Sequence, residues 1–180
     1  MAYTITSPVA APLPIAAIDT GVLTPKYTSD TSSTTYIPTP PLTLGMIVTA
    51  NDPTYGTGEF ILLKGVASTV VGSVVTYNAT TFQTALAPVG TNKPQPIAIA
   101  MSACLAVNWG WYQISGMAVA AKTSALALAS NAAVGVLTVG LIAATGTGKE
   151  IRGALTAAKA TTPKTVTLVI NRAHMEGRIT

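Results

Sequence analysis

The sequence predicts an all-β protein: a barrel or sandwich of short antiparallel strands behind an extended, proline-rich N-terminal arm, with at most one short helix. Many short apolar runs after Leu44 are separated by turn clusters rich in Gly, Pro and Asn. Near the end, Val166, Leu168 and Ile170 alternate with Thr165, Thr167 and Asn171, the period of a half-buried strand. No long segment carries the 3.6-residue period of an amphipathic helix.

The stretch from Pro94 to Ala121 organises the rest. It has no charged residue and holds both tryptophans and the only cysteine, Cys104. It reads as two strands joined at Asn108-Trp109-Gly110. In the second limb Tyr112, Ile114, Gly116 and Ala118 alternate with Trp111, Gln113, Ser115 and Met117. Successive side chains point to opposite faces, so large aromatics stand on both sides. Such a strand is covered on both faces, inside a barrel or against a partner subunit. Trp111 is therefore expected to be buried, and Cys104 to be a buried free thiol.

Residues 1–43 form the arm and residues 44–180 the body. The arm holds Pro8, Pro12, Pro14, Pro25, Pro38, Pro40 and Pro41, seven of the twelve prolines. Proline removes a backbone donor and fixes φ, so the arm can be neither a helix nor a central strand. It keeps spaced apolar residues, among them Leu13, Ile15, Ile18, Leu23 and Tyr36, which a purely solvated leader does not need. An extended arm lying along its own body or a partner is one reading; a partly disordered leader is the other.

In the body, LGMIVTA (44–50) and EFILLKGV (59–66) read as a hairpin with a long loop. STVVGSVVTY (68–77) and TFQTALAPV (81–89) flank an Asn-Ala-Thr turn that also matches a glycosylation sequon. The segment Thr123–Ala129 allows a short helix, capped by Thr123 or Ser124, or a loop leading to a strand. A strand over Ala133–Leu141 leads to the turn ATGTGKE (144–150), then IRGALTAAK (151–159) and the last strand.

Charged residues make up 9% of the chain, against about 25% in ordinary soluble proteins. A dispersed monomer of this composition is poorly solvated, which points to an oligomer or to a surface covered by neighbours. The net charge is +4, but the ten Lys and Arg stand singly and never cluster, so a nucleic-acid partner is not expected. Pro94–Ala121 and Thr123–Gly148 are long and uncharged, yet Ser, Thr, Asn, Gln and Gly break both, and membrane insertion is not expected either. MAYTITSPVAAPLPIAAI lacks a basic leader and does not read as a secretory signal.

No enzyme can be assembled from the motifs. Gly146-Thr147-Gly148-Lys149 resembles the end of a phosphate loop, but Ala143 and Glu150 stand where glycine and Ser or Thr are required, so it reads as a hairpin turn. His174 is the only histidine, which rules out a multi-histidine metal site and gives no base for a nucleophile. Asp52 and Glu59 flank one loop and read as solubilising. No cofactor is expected. Trp109, Trp111 and Tyr112 suit a core or subunit interface better than stacking on bases or sugars.

PIAIAMSACLA (96–106), NWGWYQISGMAVA (108–120) and GSVVTYNATTF (72–82) together resemble the tailed-bacteriophage head decoration, or capsid cement, proteins. An apolar returning strand comes first, then an aromatic-Gln-Ile-Ser-Gly-x-Ala strand. Small residues over Ser124–Leu137 and the Gly-rich turn at Thr145–Lys149 follow. The resemblance covers about residues 45 to 180. It implies a structural virion protein, made in the host cytoplasm and placed on the capsid exterior. There it would bind the major capsid protein lattice, as a homo-oligomer and by preference a trimer. The interface residues expected on this basis are Leu13, Ile15, Ile18, Leu23, Tyr36, Trp109, Trp111 and Tyr112. The alternatives are a tail or fibre module recognising carbohydrate through the three aromatics, and a membrane-active protein using Thr123–Gly148.

Overall fold

Alternation and turn chemistry produce fourteen strands in the computed structural model, which describes residues 42–90, 94–106, 108–123, 127–160 and 164–176 together with four short strands before them. In chain order these are β1 (Thr4–Ile5), β2 (Val22–Leu23), β3 (Lys26–Tyr27), β4 (Pro38–Thr39), β5 (Ile47–Asp52), β6 (Gly56–Lys64) and β7 (Val74–Tyr77). Then come β8 (Thr84–Leu86), β9 (Ile97–Ala100), β10 (Trp109–Ala121), β11 (Ala133–Thr138), β12 (Leu141–Ala144), β13 (Glu150–Thr156) and β14 (Thr165–Met175). The fold is all-β and antiparallel, the sheet forms a half-barrel, and no helix occurs among the described residues. The helical alternative over Thr123–Ala129 is not adopted at its described ends, since Leu128 bridges Ala160 instead.

β10 is the shared wall of two rings of strand pairings. Its first half lies between β6 and β9, with Tyr112 opposite both Ile61 and Ala100. From β9 the ring runs through β7 to β8 and returns to β6 by a parallel bridge, Lys64 to Gln83. The second half of β10 pairs with β14, and that ring continues through β13 and β11 to β12. It comes back to the end of β10 where Lys122 bridges Ile142. Tyr112 and Ile114 fill the first ring with Ile61, Leu63, Val75, Ala98, Ala100 and Cys104. Ala118 and Ala120 face the second, among Val134, Val136, Ile142, Ile151, Val166, Leu168 and Ile170.

The ribbon of β7 and β9 is buried on both faces. Val75, Ala98 and Ala100 enter the first ring's core, while Val74, Ile97 and Ile99 enter the second's. This is why the Ile97–Ala100 run has no polar position: a strand covered on both sides reads as continuous apolar sequence. A third cluster, outside the first ring, packs Trp109 and Trp111 against Val48, Ala50, Phe60, Leu62 and Met101.

The rings need a bend, and three neighbouring strands supply it at one level. β10 slips register between Gln113 and Ser115, and β13 slips between Arg152 and Ala154. Gly116, Gly153 and Arg172 all have positive φ there, at 97°, 79° and 42°. Bulges of this kind increase local twist and close curved sheets. A Cβ on Gly116 would stand 2.9 Å from the Gly58 Cα, so this position admits only glycine.

Several boundaries differ from the sequence expectation. The first hairpin has a tight three-residue loop, because Asp52 pairs with Gly56 and the turn cluster is partly strand. The Asp52 carboxylate accepts the Thr54 and Tyr55 amides at 2.7 and 2.9 Å, and Gly56 follows at φ 73°. A turn followed by a left-handed residue is a common solution for three-residue hairpin loops. Trp109 and Gly110 lie within β10 and do not join the two limbs; residues 101–108 do that. The segment Ala133–Leu141 is broken at Val139-Gly140 into β11 and β12.

Candidate interface and binding surfaces

The three aromatics expected at an interface lie inside the chain. Trp111 and Tyr112 are fully buried and Trp109 is 4% exposed. The carbohydrate reading through exposed aromatics is therefore corrected: none of the three offers a face to a sugar. Trp109 and Trp111 face one side of the strand and Tyr112 the other, as alternation required. Of the arm positions, Leu13, Ile15, Ile18 and Tyr36 lie outside the described residues. Leu23 is described by its backbone, which pairs with Trp109 in the β2–β10 contact. β1 likewise adds to the edge of β5, with Thr4 opposite Asn51.

The polar atoms around the aromatics are sparsely matched. The indole nitrogens of Trp109 and Trp111 and the Tyr112 hydroxyl are buried without a hydrogen-bond partner of good geometry. Burial pushes the Tyr112 phenol far above its ordinary value, and the Cys104 thiol beside it adds to the effect. Burial also pushes Cys104 up, with Tyr112 partly offsetting it. Buried Gln113 donates from Nε2 to the Ser115 and Met117 carbonyls at 3.1 and 3.0 Å, which holds the β10 bulge.

A surface absent from the sequence expectation lies on the outside of the second ring. Met117, Val169, Leu155 and Ala133 are successive cross-strand neighbours on β10, β14, β13 and β11. Val119 and Thr167, then Ala121 and Thr165, continue the same face. None of these side chains is charged, and Leu155 and Val169 are 47% and 48% exposed. Only the alternation of four strands in register produces the patch, so no single segment of sequence displays it.

Five charged residues have local tasks among the described residues. Arg152 pairs with Glu176 at 2.6 Å, and Arg172 pairs with Glu59. Asp52 holds its turn, so it and Glu59 do not form an acid pair. Gly146-Thr147-Gly148-Lys149 is a turn closed by the Lys149 amide donating to the Gly146 carbonyl at 2.9 Å, but not the expected hairpin: β12 and β13, which it connects, both pair with β11 and not with each other. Among the described residues no group of three His, Cys, Asp or Glu could hold a metal ion, and no helix is long and apolar enough to cross a membrane.

A cleft of about 290 Å³ opens beside the β7–β8 hairpin. Thr76, Tyr77, Asn78, Thr81, Gln83 and Gln95 line it. Asn78 Oδ1 accepts the Thr80 and Thr81 amides at 2.8 and 3.0 Å, which makes the turn expected there. Gln83 Nε2 donates to the Gly65 and Thr84 carbonyls at 2.9 and 3.2 Å. No single segment of sequence displays the cleft, because Gln95 comes beside the hairpin only through the fold, where the Tyr77 amide donates to the adjoining Pro96 carbonyl at 3.3 Å.

No family model, curated protein or solved structure matches this chain.

Proposed function

We propose that the chain is a structural virion protein that binds the assembled capsid of a tailed bacteriophage and stabilises it as a decoration protein. The uncharged face of β10, β14, β13 and β11 is the observation that carries this reading. A side chain such as Leu155 or Val169 contributes about 1.5–3 kcal/mol when fully buried, before ordering costs. A rigid sheet has little left to order, so a preformed lattice surface is a favourable partner. The low charge fits a protein whose working state is assembled. β1 and β2 pair by backbone with the chain's own β5 and β10, and strand addition of that kind, which needs no charge, is the contact an arm would offer a partner. The partner is the major capsid protein lattice, and the chain acts as a homo-oligomer, a trimer by preference.

Co-sedimentation with undecorated heads, set against unassembled coat subunits, tests the reading. The protein should pellet with heads and ignore free subunits. A double variant, Leu155→Lys with Val169→Lys, should bind heads about ten-fold more weakly or worse. No binding of the parent protein to heads, or equal binding by the variant, overturns it.

A further inference from the structure

We propose that the cleft beside the β7–β8 hairpin is a binding site for a neutral saccharide. Its lining is uncharged among the described residues and rich in amides and hydroxyls. What distinguishes it from an ordinary polar dent is that two of its amides are oriented by bonds to the backbone. The Asn78 oxygen is held by two amide donors, so its Nδ2 group is the end left to donate outward. The Gln83 nitrogen is held by two carbonyls, so its Oε1 is the end left to accept. Neither outward atom could be exchanged by flipping the amide without setting donor against donor or acceptor against acceptor.

The cleft therefore presents a fixed donor and a fixed acceptor beside Tyr77, which is half-buried and packs against the first ring's core. A sugar hydroxyl both donates and accepts, and adjacent hydroxyls on one ring can satisfy both amides. The Tyr77 ring supplies an apolar surface for the C–H side of a pyranose. Thr84, just behind, donates to the Lys64 carbonyl at 2.6 Å and stiffens the wall. Preorganised groups of this kind lose little freedom on binding, which matters for a ligand as well hydrated as a sugar. At about 290 Å³ the volume is at the lower end for small-molecule sites, about 300–1,000 Å³, the scale of one or two rings.

The charge around the cleft argues for a neutral ligand. Arg172, whose charge acts on the Tyr77 phenol, is already paired with Glu59 through two hydrogen bonds. An anionic sugar finds no uncommitted cation among the described lining residues. The elements that build the cleft contribute nothing to the uncharged face of β10, β14, β13 and β11, so the two surfaces can be occupied independently.

Saturation-transfer NMR on the full chain, with methyl glucoside, methyl galactoside, methyl mannoside and N-acetylglucosamine as separate probes, tests the site. N-acetylneuraminic acid serves as the anionic control. At least one neutral probe should show transfer at millimolar concentration and should shift backbone amides between residues 76 and 85. Asn78→Asp keeps the oxygen that caps the turn but removes the outward donor. It should leave the melting temperature unchanged and weaken binding about ten-fold. Tyr77→Leu should weaken it as well. No transfer from any neutral probe, binding unaffected by Asn78→Asp, or preference for the anionic sugar overturns the assignment.

Discussion

Arg172 reaches across β10 to Glu59, its Nε and Nη2 donating to the two carboxylate oxygens at 3.2 and 3.3 Å. Ser115, between them, is paired with Glu59 on one side and Asn171 on the other. The ion pair thus spans the bulged level of the sheet, and it starts from a residue held at φ 42°.

That backbone conformation matters more than the charge. Side chains at both ends of the pair are partly exposed, so Glu59→Gln should cost no more than about 1 kcal/mol. Arg172→Gly and Arg172→Ala remove the same ion pair, but only glycine is at ease with positive φ. Denaturant unfolding should place the glycine variant about 1 kcal/mol above the alanine variant. Equal stabilities would mean that the bulge carries no strain.

Trp111 offers a contrast between packing and hydrogen bonding. Trp111→Ala should cost about 3–5 kcal/mol, as for other buried large aromatics. Trp111→Phe should cost clearly less, because the indole N–H has no partner to lose. If the alanine variant melts within a degree or two of the parent, the aromatic cluster outside the first ring is not part of the stabilising core.

Alkaline titration reports on Tyr112. Its phenol titrates far higher in the folded chain than when unfolded, where the ordinary value is about 10. The folded state then holds the proton more tightly. This contribution is fully present below about pH 10 and is lost as pH climbs above it. Tyr112→Phe should flatten that alkaline decline while changing neutral-pH stability by less than about 1.5 kcal/mol. An undiminished decline in the variant would assign the effect to other groups.

Cys104 should resist thiol reagents in the native state, since it is buried and its thiolate is disfavoured. Labelling should proceed only as fast as the chain opens, and should accelerate with denaturant in step with unfolding. Rapid stoichiometric labelling without denaturant would contradict the packing of the first ring.

How much of this was legible in the sequence depended on the range of the interaction. The inward set of β14, Val166, Leu168 and Ile170, was readable because period-two alternation survives in one short segment. The phase change after Arg172, which turns Ala173 and Met175 inward, was not, because a bulge has no period of its own. The two-sided burial of Trp111 and Tyr112 followed from alternation, but their burial within one chain depended on β5, β6 and β9 arriving on both sides. Leu155 and Val169 look unremarkable in sequence and become one patch only through pairing across β13 and β14. The Asn78 turn was legible, whereas the outward amide it leaves beside Gln83 depends on the hairpin register.

A wall common to two rings also constrains the order of folding. β10 collects partners from residues 22–23, 56–64, 97–100 and 165–175, so most of its pairing is distant along the chain. Such a topology is slow to form, because loop closure precedes the contacts that stabilise it. On a ribosome the first ring has all its strands once β10 has emerged. The second waits for β14, which follows β11, β12 and β13 in the chain. Until then the apolar edge of β10 from Ser115 to Ala121 stands unpaired, and a nascent chain halted before Thr165 presents that edge to whatever strand comes first.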